Sequence, residues 1–216
     1  LLILLMVIGQ GTMGGLRVTG KFTLSDIPAQ MAPNTTLAIV HGAFAQVFFA
    51  ILAALSALCS RTWISEVPPK PRLSARIGRL LNWLLVGALV VQLMLGSVLR
   101  HIGHVLPEHI TIALIVLMLA LFCGARAWGV NTDQPILSRL GAALLCVALV
   151  QVMLGVCAVI AIGGEGPVKN PGMGQAIITT AHQVTGAVFL ALAVLLALWS
   201  TRLESPVSMQ ELSGRS

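Results

Sequence analysis

Three histidines recur along this chain in the same company. Gln10, Gly14 and His41 stand at the same intervals as Gln151, Gly155 and His182, 141 residues further on. Gln92, Gly96 and His109 follow the same order, with the connecting segment 14 residues shorter. Imidazole is both a metal ligand and a hydrogen-bonding group. Glutamine four residues before glycine puts the two on one helical face. There the glycine removes bulk where a backbone or a flat ligand must come close, and the amide keeps a hydrogen-bonding group beside the notch.

Each histidine is followed four residues later by a small residue, Ala45, Ala113 or Gly186. That residue lies on the histidine's own face, one turn deeper. It gives the clearance needed by a porphyrin lying flat across a helix around its axial ligand. Imidazoles on both faces of a haem iron are a familiar low-spin arrangement, and His109 with His182 form the natural opposed pair. His41 then has no obvious mate. A simpler reading stands beside this one. Small residues drive helix packing in membranes, Gly11 and Gly15 make a G-x-x-x-G, and a glutamine or histidine can merely tie helices together. Burying polar groups in lipid is costly, so their threefold recurrence points to a ligand site.

The elements that must position these groups follow from composition. Hydrophobic residues make up 57% of the 216, charged residues only 9%, and the mean hydropathy is +0.95. These values predict an all-α integral membrane protein, since about 20 apolar residues at 1.5 Å each cross a hydrocarbon core of roughly 30 Å. Six spans are expected: Leu1 to Leu16, Thr36 to Cys59, Leu80 to Leu99, His109 to Ala125, Leu140 to Ile162 and Gln175 to Trp199. Continuous apolar runs of this length are helices, because a barrel would show short alternating strands.

The net charge of +6 is topological rather than a nucleic-acid footprint, for the charges are not interleaved with aromatics and there is no tyrosine. Arg61, Lys70, Arg72, Arg76 and Arg79 crowd residues 61–79, a basic linker, while Arg126, Arg139 and Arg202 flank later spans on the same side. The positive-inside tendency puts these ends and the polar tail 201–216 in the cytoplasm, as in a bacterial-type plasma membrane. The three repeated histidines then lie in the outer half of the bilayer. The tail is expected to be disordered. A chain opening on Leu1, already apolar, is expected to be a fragment.

Cys59, Cys123, Cys146 and Cys157 form neither C-x-x-C nor C-x-x-C-H, which argues against zinc and covalent haem attachment and for small apolar packing. His101 and His104 are expected as solvated loop residues. Arg100, Arg17 and Lys21 would suit anionic haem propionates or anchor the membrane edge equally well. Glu108 is placed to favour a helix start.

The order and spacing of QGTMGGLRV at Gln10, HGAFAQVFFA at His41, QLMLGSVLRH at Gln92, QVMLGVCAVIA at Gln151 and AHQVTGAVFLALAVLLAL resemble the haem A synthase family of cytochrome oxidase assembly proteins. The likeness spans nearly the whole chain. It implies two four-helix halves related by an internal repeat. Residues 1–60 would be the second helix pair of the N-terminal, substrate-haem half, and residues 80–200 the complete C-terminal half. His109 and His182 would be axial ligands of a resident haem b, bordered by Gln92, Gly96, Gln151, Gly155 and Arg100. His41 would be one axial ligand at the haem O site. The implied reaction oxidises a haem O methyl group to the formyl group of haem A, with oxygen from water and an unspecified electron acceptor. A haem O synthase is an implied partner. The chain departs from the family in lacking the first helix pair, and with it the partner histidine, a nearby glutamate and a cysteine-bearing loop. A haem b electron carrier or haem-handling protein would use the same histidines, and a small permease would use polar helix faces otherwise.

Overall fold

The computed structural model describes residues 1–18, 34–65, 68–163 and 172–207. Seven helices dominate: α1 (Leu2–Val18), α2 (Thr35–Leu58), the short α3 (Arg61–Ile64), α4 (Ala75–Ile102), α5 (Leu106–Val130), α6 (Pro135–Ile162) and α7 (Met173–Leu203). Five of them, α2 and α4 to α7, are long and apolar enough to cross a membrane. The chain is therefore an all-α membrane protein, with five such spans among the described residues where six were expected. The difference is α1, whose 17 residues reach only about 25 Å at 1.5 Å per residue.

Most spans overrun their apolar stretches. Helix α4 starts at Ala75 and takes in Arg76 and Arg79, α6 takes in Arg139, and α7 takes in Arg202. A helix satisfies its own backbone beyond the hydrocarbon edge, and long basic side chains carry their charge out to water. The ends have local causes. Asn34 Oδ1 accepts the Leu37 N–H at 2.9 Å at the start of α2. Gly103 and Gly163 end α4 and α6 in the left-handed conformation, with φ of 82° and 73°. Val105, β-branched yet at φ 69°, completes a tight turn into α5, whose first turn holds Pro107 and Glu108. Such a conformation costs a β-branched residue on the order of 1–3 kcal/mol. His109 thus sits one turn inside its helix rather than at its beginning.

Helices α4, α5, α6 and α7 pack each against the next, and α7 returns to α4, closing a four-helix ring. Helix α2 lies against α7 and α4, and α1 leans on α2. Leu85, Leu137, Leu144, Leu190 and Leu196 fill the core. Trp63 of α3 meets Trp199 edge-on at 4.8 Å. Among the cysteines only Cys123 is buried, while Cys59, Cys146 and Cys157 are exposed, so core packing accounts for one of the four.

The basic end differs most from expectation. Residues 61–65 and 68–79 are not a plain linker, and residues 201–206 complete α7 and add a strand. Lys70–Arg72 forms β1, which pairs in parallel with β2 (Glu204–Pro206), Lys70 opposite Glu204. Glu204 is fully buried. Its carboxylate accepts from Arg126 Nη2 at 3.1 and 3.0 Å and from Asn131 Nδ2 at 3.0 Å. Gln134 Nε2 donates to the Leu203 carbonyl, and Asn82 Nδ2 to Ser200 Oγ. Gly78 makes this possible, since a side chain there would occupy the space of the Arg126 guanidinium. On the surface, Lys70 and Arg72 both pair with Asp133. The Lys70 hydrogen bond, helped by the Arg72 charge, holds that carboxyl below the usual carboxylate range.

Candidate functional site

The short α4–α5 turn makes those helices antiparallel, so the end of α4 that carries Gln92 and Gly96 meets the start of α5 that carries His109. Helices α6 and α7 repeat the arrangement with Gln151, Gly155 and His182. Ring closure then brings the two histidines together, with imidazole centroids 6.5 Å apart and planes crossing at 73°.

The three glycines act differently from expectation. A Cβ built on Gly96 would lie 3.1 Å from His109 Cε1, one on Gly155 3.2 Å from His182 Cε1, and one on Gly14 3.3 Å from His41 Cε1. Each notch therefore seats the imidazole of the following helix rather than a flat ligand directly. The small residue after His182 has a similar use: a Cβ on Gly186 would stand 3.2 Å from Gln151 Nε2. Glycine and side chain interlock in both directions across α6 and α7.

The glutamines reach the histidines as well. Gln92 Nε2 is 3.1 Å from His109 Nε2, and Gln151 Nε2 is 3.4 Å from His182 Nε2. In the first repeat Gln10 Nε2 donates instead to the main-chain carbonyl of His41 at 3.3 Å. Even so, these groups are only half satisfied. Among the described residues, the buried side-chain atoms without a hydrogen-bond partner are Gln10 Oε1, Gln92 Oε1, Gln151 Oε1 and Nδ1 of His41, His109 and His182. Every one belongs to the repeated glutamine–histidine sets. Native structures leave few buried polar groups unpaired, so such a concentration marks a site built for something besides the fold.

Arg100 lies one helical turn beyond Gly96 and donates to Gln183, the residue after His182, which ties the end of α4 to α7. Sequence reasoning missed Gln183, Gln46 and Ser97. Ser97 Oγ donates to the Ile39 carbonyl at 3.2 Å, joining α4 to α2. Gln46 Oε1 would lie 3.9 Å from a Cβ on Gly186, reaching from α2 toward the α6–α7 set. None of the three repeats at a fixed interval, so periodicity could not reveal them. His101 falls in the last turn of α4 and His104 in the exposed turn after it, while Glu108 is exposed in the first turn of α5. Lys21 lies outside the described residues.

The donor set limits the chemistry. No group of three or more His, Cys, Asp or Glu able to hold a metal ion occurs among the described residues. Two imidazoles alone suit a metal whose remaining positions are already filled, as in a metalloporphyrin. Metal–nitrogen bonds of about 2 Å, with a further ångström or so to each ring centre, put opposed axial imidazoles roughly 6 Å apart. The 6.5 Å observed is of that size. Comparison of the chain with family models, with curated proteins and with solved structures finds no match.

Proposed function

We propose that this chain is a haem-binding membrane protein of the haem A synthase type. In this reading His109 and His182 would hold a resident haem b, and His41 would bind the substrate haem O. One observation carries it: two histidines from separate helices stand 6.5 Å apart, the separation two ligands of one metal would have, inside a cluster whose buried polar atoms lack partners. The order of the three Gln–Gly–His sets supports the family reading.

The chain's own residues would do the following. Gly96 and Gly155 let the imidazoles sit close against α4 and α6, which fixes the ring orientation. Apolar helix surfaces exclude water from the region between them. Arg100, already directed toward α7, offers a charge-assisted partner to a propionate at the outer edge. When bound, the haems supply the electron transfer and the oxidation of the haem O methyl group, with oxygen from water, while the protein supplies orientation and electrostatics. The basic end of the bundle would face the cytoplasm of a bacterial-type cell and the histidine end the outside. A haem O synthase and an electron acceptor would be its partners.

The test is haem content by absorption spectroscopy of the purified chain and of three variants. His109→Ala and His182→Ala should each lose the low-spin haem b band, whereas His41→Ala should retain it and bind supplied haem O less well. Absence of a Soret band from the unaltered protein, or equal haem content in all three variants, overturns the reading. Bound haem b with no binding of supplied haem O would leave an electron-carrier site.

A further inference from the structure

In both members of the imidazole pair, the ring nitrogen farther from the backbone is already engaged by an amide of this chain. Gln92 Nε2 stands 3.1 Å from His109 Nε2 and Gln151 Nε2 stands 3.4 Å from His182 Nε2. His41 is different, because Gln10 is spent on that residue's main-chain carbonyl and does not bond its ring. We propose that Gln92 and Gln151 are positioning residues that cap the metal-binding nitrogens of His109 and His182 in the haem-free protein, and that His41 is left uncapped. The inference rests on the haem reading of that pair.

A neutral imidazole has one ring lone pair to give. Nε2, free of the crowding around Cβ, is the nitrogen best placed to give it to a metal, and an N–H donated onto that lone pair competes directly with ligation. Either face of the amide blocks the same atom, since its oxygen would instead hold a proton there. Ligation then exchanges one bond for another. The hydrogen bond to Nε2 breaks, a coordinate bond from Nε2 forms, and no electron changes hands. The cap is easily released, because each amide keeps its Oε1 without a partner. A glutamine serving only to tie helices would be expected to use both ends of its amide. Gly186 points the same way, leaving room beside His182 that Gln151 Nε2 fills.

Removing a cap should therefore strengthen haem binding, where removing a permanent orienting group would weaken it. The experiment titrates the haem-stripped full chain in detergent with iron protoporphyrin IX and reads affinity from the Soret band. Gln92→Leu and Gln151→Leu should each bind roughly twofold to tenfold more tightly, the size of one net neutral hydrogen bond, with an unchanged low-spin spectrum. Gln92→Asn, too short to reach the ring but still polar, should behave like Gln92→Leu and serves if the leucine variant does not fold. Gln10→Leu should leave affinity at the pair unaltered. Equal or weaker binding in the Gln92 and Gln151 variants overturns the cap while leaving the haem reading intact. No binding by the unaltered chain overturns both.

Discussion

Two buried polar clusters sit toward opposite ends of the same helix ring, and they differ in whether their groups are satisfied. Seventeen residues of α5, about 25 Å, separate His109 from Arg126. At the basic end Glu204, Arg126, Asn131, Gln134 and Ser200 all find partners. At the histidine end every glutamine oxygen and every Nδ1 of the repeated sets goes without. Polar groups that satisfy one another hold a fold together, whereas polar groups left wanting inside an apolar bundle await something else.

The sharpest way to break this contrast is Glu204→Ala. It strands the Arg126 guanidinium, which is nearly as buried as its partner, and breaking such a pair costs about 3–5 kcal/mol. Denaturant unfolding in detergent should register that loss, and a change below about 1 kcal/mol would remove the basic end from any structural role. The double variant Gln151→Leu with His182→Leu should behave oppositely in the haem-free protein. Replacing both half-satisfied partners with apolar side chains should leave stability unchanged or raise it by up to about 1–3 kcal/mol. A loss as large as that of Glu204→Ala would erase the distinction between the two clusters. The smallest effect is expected at Asp133. Its lowered carboxyl contributes stability that is present above the unfolded value, near pH 4, and is lost as pH falls through the still lower folded value. The pair is exposed and screened by salt. Protection of the Lys70 and Arg72 amides, taken relative to their intrinsic exchange rates, should therefore fall modestly in acid, and Asp133→Asn should flatten that dependence. An identical acid response in the variant would assign the effect to other groups.

The histidine end was more legible in the sequence than the basic end. Glutamine, glycine and histidine repeat at fixed local intervals, and each set uses two helices adjacent in the chain, so periodicity points to all nine residues. What the glycines seat was not legible, because the receiving ring belongs to another helix. Five spans were legible from hydropathy, their ends less so, since charged residues such as Arg76 and Arg202 continue a helix past the apolar stretch. The basic end was missed almost entirely. Glu204 lies 78 residues from Arg126, and Asn82 lies 118 from Ser200. Nothing periodic announces contacts made only once the ring closes, and a short polar tail looks alike whether free or buried.

The parallel pairing of Lys70–Arg72 with Glu204–Pro206 brings the two boundaries of the ring-forming segment side by side. A segment whose boundaries adjoin is suited to circular permutation. Linking residue 206 to residue 70 by a few flexible residues and opening the chain in the exposed 132–133 turn should keep all four helices and both paired imidazoles in register. The order in which these helices are synthesised would then be separable from the ring they assemble into.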